Sequence, residues 1–136
     1  MTLSLSFEDM LLKLHHIAII ASDFERSKRF YTEVLGFELL SEHFRAERQS
    51  WKADLALHGH YLIELFSFPE PPARLSQPEA SGLRHLAFST PDIYEEKARL
   101  EIMGVQVEPI RTDPYTQKLF TFFRDPDNLP LELYQD

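Results

Sequence analysis

The chain passes twice through the same series of signals, and this duplication constrains its fold more than any other feature. In the first half an apolar stretch carries His16, the helix-capping candidate Asp23 follows seven residues later, and Gly36 closes an amphipathic run. The second half repeats the series with His85, Asp92 and Gly104, again with seven residues between histidine and aspartate. Each half then ends on a glutamate set among apolar residues, Glu64 in YLIELF and Glu132 in LPLELY. The histidines lie 69 residues apart, and the glycines and the glutamates each lie 68 apart. Agreement within one residue over the length of a half indicates a repeated structural unit that buries its apolar face against its twin.

Local patterns fill in each unit. LKLHHIAII, residues 12 to 20, is apolar, β-branched and short enough to be a strand. Ser22 or Asp23 can cap the following helix, because a short side-chain oxygen accepts a hydrogen bond from the free N–H groups of the first turn. Phe24, Phe30, Tyr31, Val34 and Leu35 recur at helical spacing, and Gly36 supplies the stop. FELLSEH, Gln49 to His58 and His60 to Phe66 then read as three strands, with Gly59 at the turn between the last two.

Residues 67 to 82 contain Pro69, Pro71, Pro72 and Pro78, a density that blocks both helix and ladder pairing. Beyond this linker come a strand in LRHLAFST, a cap at Asp92, a helix with Ile93, Ala98, Leu100 and Met103, and the stop at Gly104. Val105 to Arg111, Lys118 to Arg124 and Leu129 to Tyr134 read as three further strands, with DPDN as a tight turn between the last two. The expectation is an α+β fold of two βαβββ modules, residues 12–66 and 83–136, joined by the Pro-rich linker 67–82 within a single unit 1–136.

Charge and composition remove several functions. A formal charge of -8, with the acidic residues scattered, repels phosphate backbones, so nucleic acid is not expected as a partner. There is no cysteine, which excludes disulfides, thiolate metal sites and a cysteine nucleophile together. MTLSLSFEDMLLKL lacks a basic leader followed by a long apolar run, and no later window approaches a membrane span, so a cytoplasmic location without membrane attachment is expected.

Chemistry concentrates on four residues. A bare carboxylate is costly inside an apolar strand, so Glu64 and Glu132 require a compensating charge. One divalent cation held by His16, Glu64, His85 and Glu132 supplies it, with two neutral imidazoles and two carboxylates making a formally neutral set. His15 points to the opposite strand face and does not match the spacing of His85 to its cap, so it is expected behind the site or at the surface. His43, His58 and His60 have no counterparts in the second half and read as exposed. Arg48, Arg111 and Arg124 suit an anionic substrate group, although solvated strand edges also account for them. The 11 Phe and 5 Tyr are expected to fill the core.

The motifs LHHIAIIASDFERSKRFYTEVLGFEL, RHLAFSTPD and FRDPDNLPLELY resemble the vicinal oxygen chelate superfamily, which includes glyoxalase I, extradiol dioxygenases and fosfomycin-resistance enzymes. The resemblance runs from Leu14 to Tyr134. It implies paired βαβββ modules whose mixed sheets curl into a cleft around a metal, with His16, Glu64, His85 and Glu132 on the ligand positions. A set of two His and two Glu is most similar to glyoxalase I, a lactoylglutathione lyase, and implies a metal-dependent lyase or isomerase. By the same resemblance Glu132 is the base and Glu64 the second proton carrier. Nickel, cobalt, manganese, iron and zinc all accept these ligands. The substrate implied is a small molecule with vicinal oxygens.

Where glyoxalase I grips glutathione this chain reads RTDPYTQK and SEHFRAERQSW, so a hydroxyketone or 2-oxo acid derivative fits as well. An extradiol-type dioxygenase using Fe(II) would need three protein ligands, and a non-catalytic binding protein of the resistance type would need none. A homodimer is expected, because glyoxalase I relatives build sites from modules of two chains whereas other members pair modules within one.

Overall fold

The computed structural model describes residues 6–136. The first five residues of the expected unit 1–136, with the start of MTLSLSFEDMLLKL, lie outside the described residues.

Among the described residues eight strands and two α-helices follow one another in the repeated order. In the first module β1 (Ile17–Ala21) leads into α1 (Phe24–Arg29), followed by β2 (Glu38–Arg45), β3 (Ser50–Leu57) and β4 (His60–Ser67). In the second module β5 (Leu86–Thr90) and α2 (Ile93–Ile102) precede β6 (Arg111–Thr112), β7 (Leu119–Arg124) and β8 (Pro130–Gln135). Each module makes one four-stranded mixed sheet, in the orders β1-β4-β3-β2 and β5-β8-β7-β6. The first strand pairs parallel with the last, and the remaining pairs are antiparallel.

The caps form where the sequence places them. Asp23 and Asp92 each accept a hydrogen bond from a backbone N–H three residues on, at Arg26 and Glu95. Beyond Arg29 the first helix widens into a π-helical turn, Phe30–Val34, before Gly36 turns the chain at φ +84°. His58 and Gly59 both take positive φ, the conformation that a two-residue hairpin between β3 and β4 demands.

Three expected strands differ. The first begins at Ile17 rather than residue 12, because its ladder with β4 starts at Ile17 opposite Ile63 and residues 12 to 15 are exposed. The fifth likewise starts at Leu86, not 83. Val105 to Arg111 forms no continuous strand, and only Arg111 and Thr112 pair with β7. Pro109 explains this, since it has no N–H to donate and interrupts the ladder after Glu108 bonds to Phe122.

One hydrophobic cluster draws on both modules. It joins Ile19, Phe24, Tyr31, Ile63 and Leu65 of the first to Leu86, Leu100, Phe123, Leu131 and Leu133 of the second. Phe30 meets Phe123 and Phe37 meets Phe88 across the boundary, with ring centroids 6.5 and 6.0 Å apart. The DPDN turn, expected only as a turn, also bridges the modules. Asp127 accepts from the backbone N–H of Ser22 at 3.0 Å and from the Ser22 hydroxyl. Among the described residues no helix is long and apolar enough to cross a membrane.

Candidate metal centre

Strand register brings each histidine to its own glutamate. Ala18 pairs with Glu64 and Ala87 with Glu132. His16 and His85 each lie two residues before those alanines, and the strand period of two therefore returns them to the face that carries the glutamate. In the first module His16 Nε2 lies 3.6 Å from Glu64 Oε1, and in the second His85 Nε2 lies 3.3 Å from Glu132 Oε1. The glutamate side chains are only 17% and 13% exposed, so water alone does not balance their charge.

The two pairs are not brought together within the chain. Ile63 and Leu65 flank Glu64 and point into the shared core, as Leu131 and Leu133 do around Glu132. Alternation then places both glutamates on the sheet faces turned away from that core. Among the described residues no three His, Cys, Asp or Glu side chains form a group able to hold a metal ion. Each chain thus presents two separate His–Glu pairs, one per module.

The donor set of each half fits a cation. Two ligands on one ion, each at roughly 2.0–2.2 Å, stand about 3.0–3.6 Å apart, which spans both observed separations. Nε2 ligation requires the imidazole proton on Nδ1. The Nδ1 of His85 lies 3.0 Å from Arg84 Nη1, and because guanidinium only donates, Arg84 must leave that atom for an ion to bind. Arg84 is exposed and has Glu79 as its other partner.

The halves differ in charge. Opposite Glu64 on β3 stands Asp54, and Lys52 bridges them, 2.7 Å from Asp54 and 3.1 Å from Glu64 Oε2. Tyr61 donates to Asp54 at 3.0 Å, and its ring stacks on His16 with centroids 5.2 Å apart. Burial would lower the Lys52 ammonium, but its bonds to Asp54 and Glu64 hold it above the ordinary lysine value. Burial likewise works to raise Asp54, yet bonds from Lys52, Tyr61 and Ser41 hold it below the ordinary carboxylate value. The Tyr61 phenol is pushed up, first by burial and then by Asp54.

In the second half Phe122 occupies the position opposite Glu132 and sits edge-on to His85 at 5.1 Å. One glutamate therefore has a fixed cation beside it, and the other has an aromatic wall. Sequence reasoning missed Lys52 and Asp54. Their alternation in WKADL puts both on one face, but counting back from the His58–Gly59 turn pairs Asp54 with Ile63, and only the irregularity between Leu55 and Ala56 shifts the register to set Asp54 against Glu64.

Apart from His15, which precedes the strand and so meets His16 instead of facing away from it, the other candidates separate. His15 is exposed, with its Nδ1 2.8 Å from that of His16, and His43, His58 and His60 are also exposed. Arg48 lies over the Phe68 ring. Arg111 and Arg124 line a cavity that Phe122, the neighbour of His85, also lines.

Residues 13–133 match a model of the Glyoxalase/Bleomycin resistance protein/Dioxygenase superfamily. The Uncharacterized protein YaeR of Escherichia coli (strain K12) is 64% identical over 125 residues, covering 92% of this chain and 97% of its own. The crystal structure of the glyoxalase family protein from Enterococcus faecalis superposes with a TM-score of 0.84 at 49% identity, over 90% of this chain and 96% of that one. Lactoylglutathione lyase of Schizosaccharomyces pombe (strain 972) is 29% identical over 142 residues, covering 89% of this chain and 46% of that protein.

Proposed function

The chain belongs to the Glyoxalase/Bleomycin resistance protein/Dioxygenase superfamily, and from that premise we propose that it is a divalent-metal-dependent enzyme of the glyoxalase I type. The reaction is isomerisation of a small substrate with two adjacent oxygens. The centre is assembled in a homodimer, with His16 and Glu64 of one protomer facing the second-module pair of its partner. The observation that carries this reading is the matched pair of half-sites, each an imidazole and a shielded carboxylate in the same register, facing away from their own chain's core.

A bound divalent ion would polarise the two substrate oxygens and stabilise negative charge that develops on them. The protein's own groups then divide the proton transfers. Glu132 has no basic side chain within ion-pair distance among the described residues apart from His85, and Phe122 walls it from the side. It takes the proton from the carbon beside the carbonyl. Glu64 keeps one oxygen on Lys52 and turns the other toward His16. Glu64 takes the substrate's hydroxyl proton and passes it to the neighbouring carbon, while Glu132 gives the proton it took to the oxygen on that carbon, so both carboxylates end as they began. Tyr61, stacked on His16, limits the ring's rotation.

The test is elemental analysis of protein purified without chelator, with light scattering on the same sample and a screen of glutathione hemithioacetals, hydroxyketones and 2-oxo acids. The expected result is one divalent ion per two complementary half-sites, a dimeric mass and turnover of a chelating carbonyl compound. A metal-free monomer without turnover would reject the reading.

A further inference from the structure

We propose that the cavity beside the second half-site is an anion subsite, so that the substrate is a small acid carrying a carboxylate or phosphate beyond its chelating oxygens. The inference deepens the proposed function and rests on it only for the chelating part of the substrate.

Four guanidinium groups converge there. Arg74, Arg84, Arg111 and Arg124 line a cavity of about 240 Å³ together with Phe122. The chain as a whole has 22 acidic against 14 basic residues, yet only Glu79 and Glu108 line this cavity from the acidic side. A local positive excess in a protein of charge -8 has to survive the repulsion among the arginines, and an incoming oxyanion relieves it.

The arginines are unequally engaged. Arg74 is pinned as part of the wall, donating to the carbonyls of Leu83 and Arg84 at 2.7 and 3.0 Å and to Ser76 at 3.0 Å. Arg84 pairs with Glu79, and Arg111 reaches Glu108 only at 3.7 Å while lying over the Phe120 ring. Arg124 has no ion pair among the described residues. Arg111 and Arg124 are therefore the two whose donors are most available, and a guanidinium offers paired N–H groups in the geometry of a carboxylate or phosphate.

Position links the cavity to the half-site. Phe120, Phe122 and Arg124 alternate along β7, which puts them on one face, and the pairings Phe122 with Glu132 and Arg111 with Phe120 place Glu132 and Arg111 on that face too. Phe122 is the shared wall, touching His85 on one side and lining the cavity on the other. A short molecule with its oxygens at His85 and Glu132 can extend its charged end past Phe122 to the arginines.

Calorimetric titration of the purified full-length protein with inorganic phosphate and with succinate tests this, before and after chelator treatment, in the wild type and in Arg124→Gln and Arg111→Gln. Saturable binding is expected, weakened roughly tenfold in each variant and retained after the metal is stripped. Whichever probe binds more tightly assigns the anion as phosphate or carboxylate. No saturable binding, binding unaffected by both substitutions, or binding lost with the metal would each overturn the subsite. Because metal content is measured on the same sample, a protein that binds phosphate without ever holding metal would refute the proposed function and leave the subsite standing. Both arginines are exposed, and circular dichroism checks that the variants fold.

Discussion

The Tyr31 hydroxyl donates to the Asp125 carboxylate at 2.8 Å, joining the helix of the first module to the last turn of the second. Tyr31 is fully buried and Asp125 nearly so, and the other oxygen of Asp125 accepts from the backbone N–H groups of Asp127 and Leu129. The same side chain thus closes the DPDN turn and fastens it to the other half of the protein.

Removing the hydroxyl leaves a buried carboxylate oxygen without its partner. Tyr31→Phe is expected to lower stability by about 1–3 kcal/mol. Urea unfolding would read this as a lower midpoint at unchanged slope, and an unchanged midpoint would show that the bond contributes nothing.

Asp125 also predicts a pH dependence. Burial raises its carboxyl above the ordinary value of 3.8, against the bonds from Leu129 and Tyr31 that work to lower it. The folded state then binds more protons than the unfolded chain, so the contribution is fully present below the unfolded value and is lost as pH rises through the folded one. The stability difference between the wild type and Asp125→Asn should therefore decline with increasing pH above 3.8 and level off once the folded carboxyl has ionised. A difference that grows with pH over that window would contradict the assignment.

Glu132→Gln keeps an oxygen that can coordinate but cannot accept a proton. Turnover is expected to fall by about 10²-fold or more while part of the metal remains. Steady-state kinetics and elemental analysis on one preparation separate the two effects, and undiminished turnover would remove Glu132 as the base.

Complementation tests where the halves meet. A chain with His16→Ala and Glu64→Ala, mixed with a chain carrying His85→Ala and Glu132→Ala, should regain one intact centre in each mixed dimer. About half the wild-type activity per mixed dimer is expected, roughly a quarter after random exchange of equal amounts. Separation of tagged heterodimers followed by assay would show it, and inactive heterodimers would mean that the pairs do not combine between chains.

Much of the local architecture was legible beforehand. The matched offsets of His, Asp and Gly located both helices and their caps, and the hairpin turn at Gly59 followed from its residue type. Val105 to Arg111 misled because its apolar spacing resembles a strand, while Pro109 denies the hydrogen bond that pairing needs. DPDN looked like punctuation, since nothing in a tetrapeptide reveals that Tyr31 or Ser22, about a hundred residues earlier, will reach it.

Within one module the sequence alone placed a histidine at the first strand and a glutamate on the last, and left the parallel pairing that joins them to the tertiary structure. It could not determine how the modules face each other. Ile63, Leu65, Leu131 and Leu133 would suit a shared core in more than one arrangement, and only the tertiary structure showed that burying them together turns both His–Glu pairs outward. The same holds for Arg74 and Arg84 of the linker region and Arg111 and Arg124 of the sheet, which converge through folding over distances that local propensity does not encode.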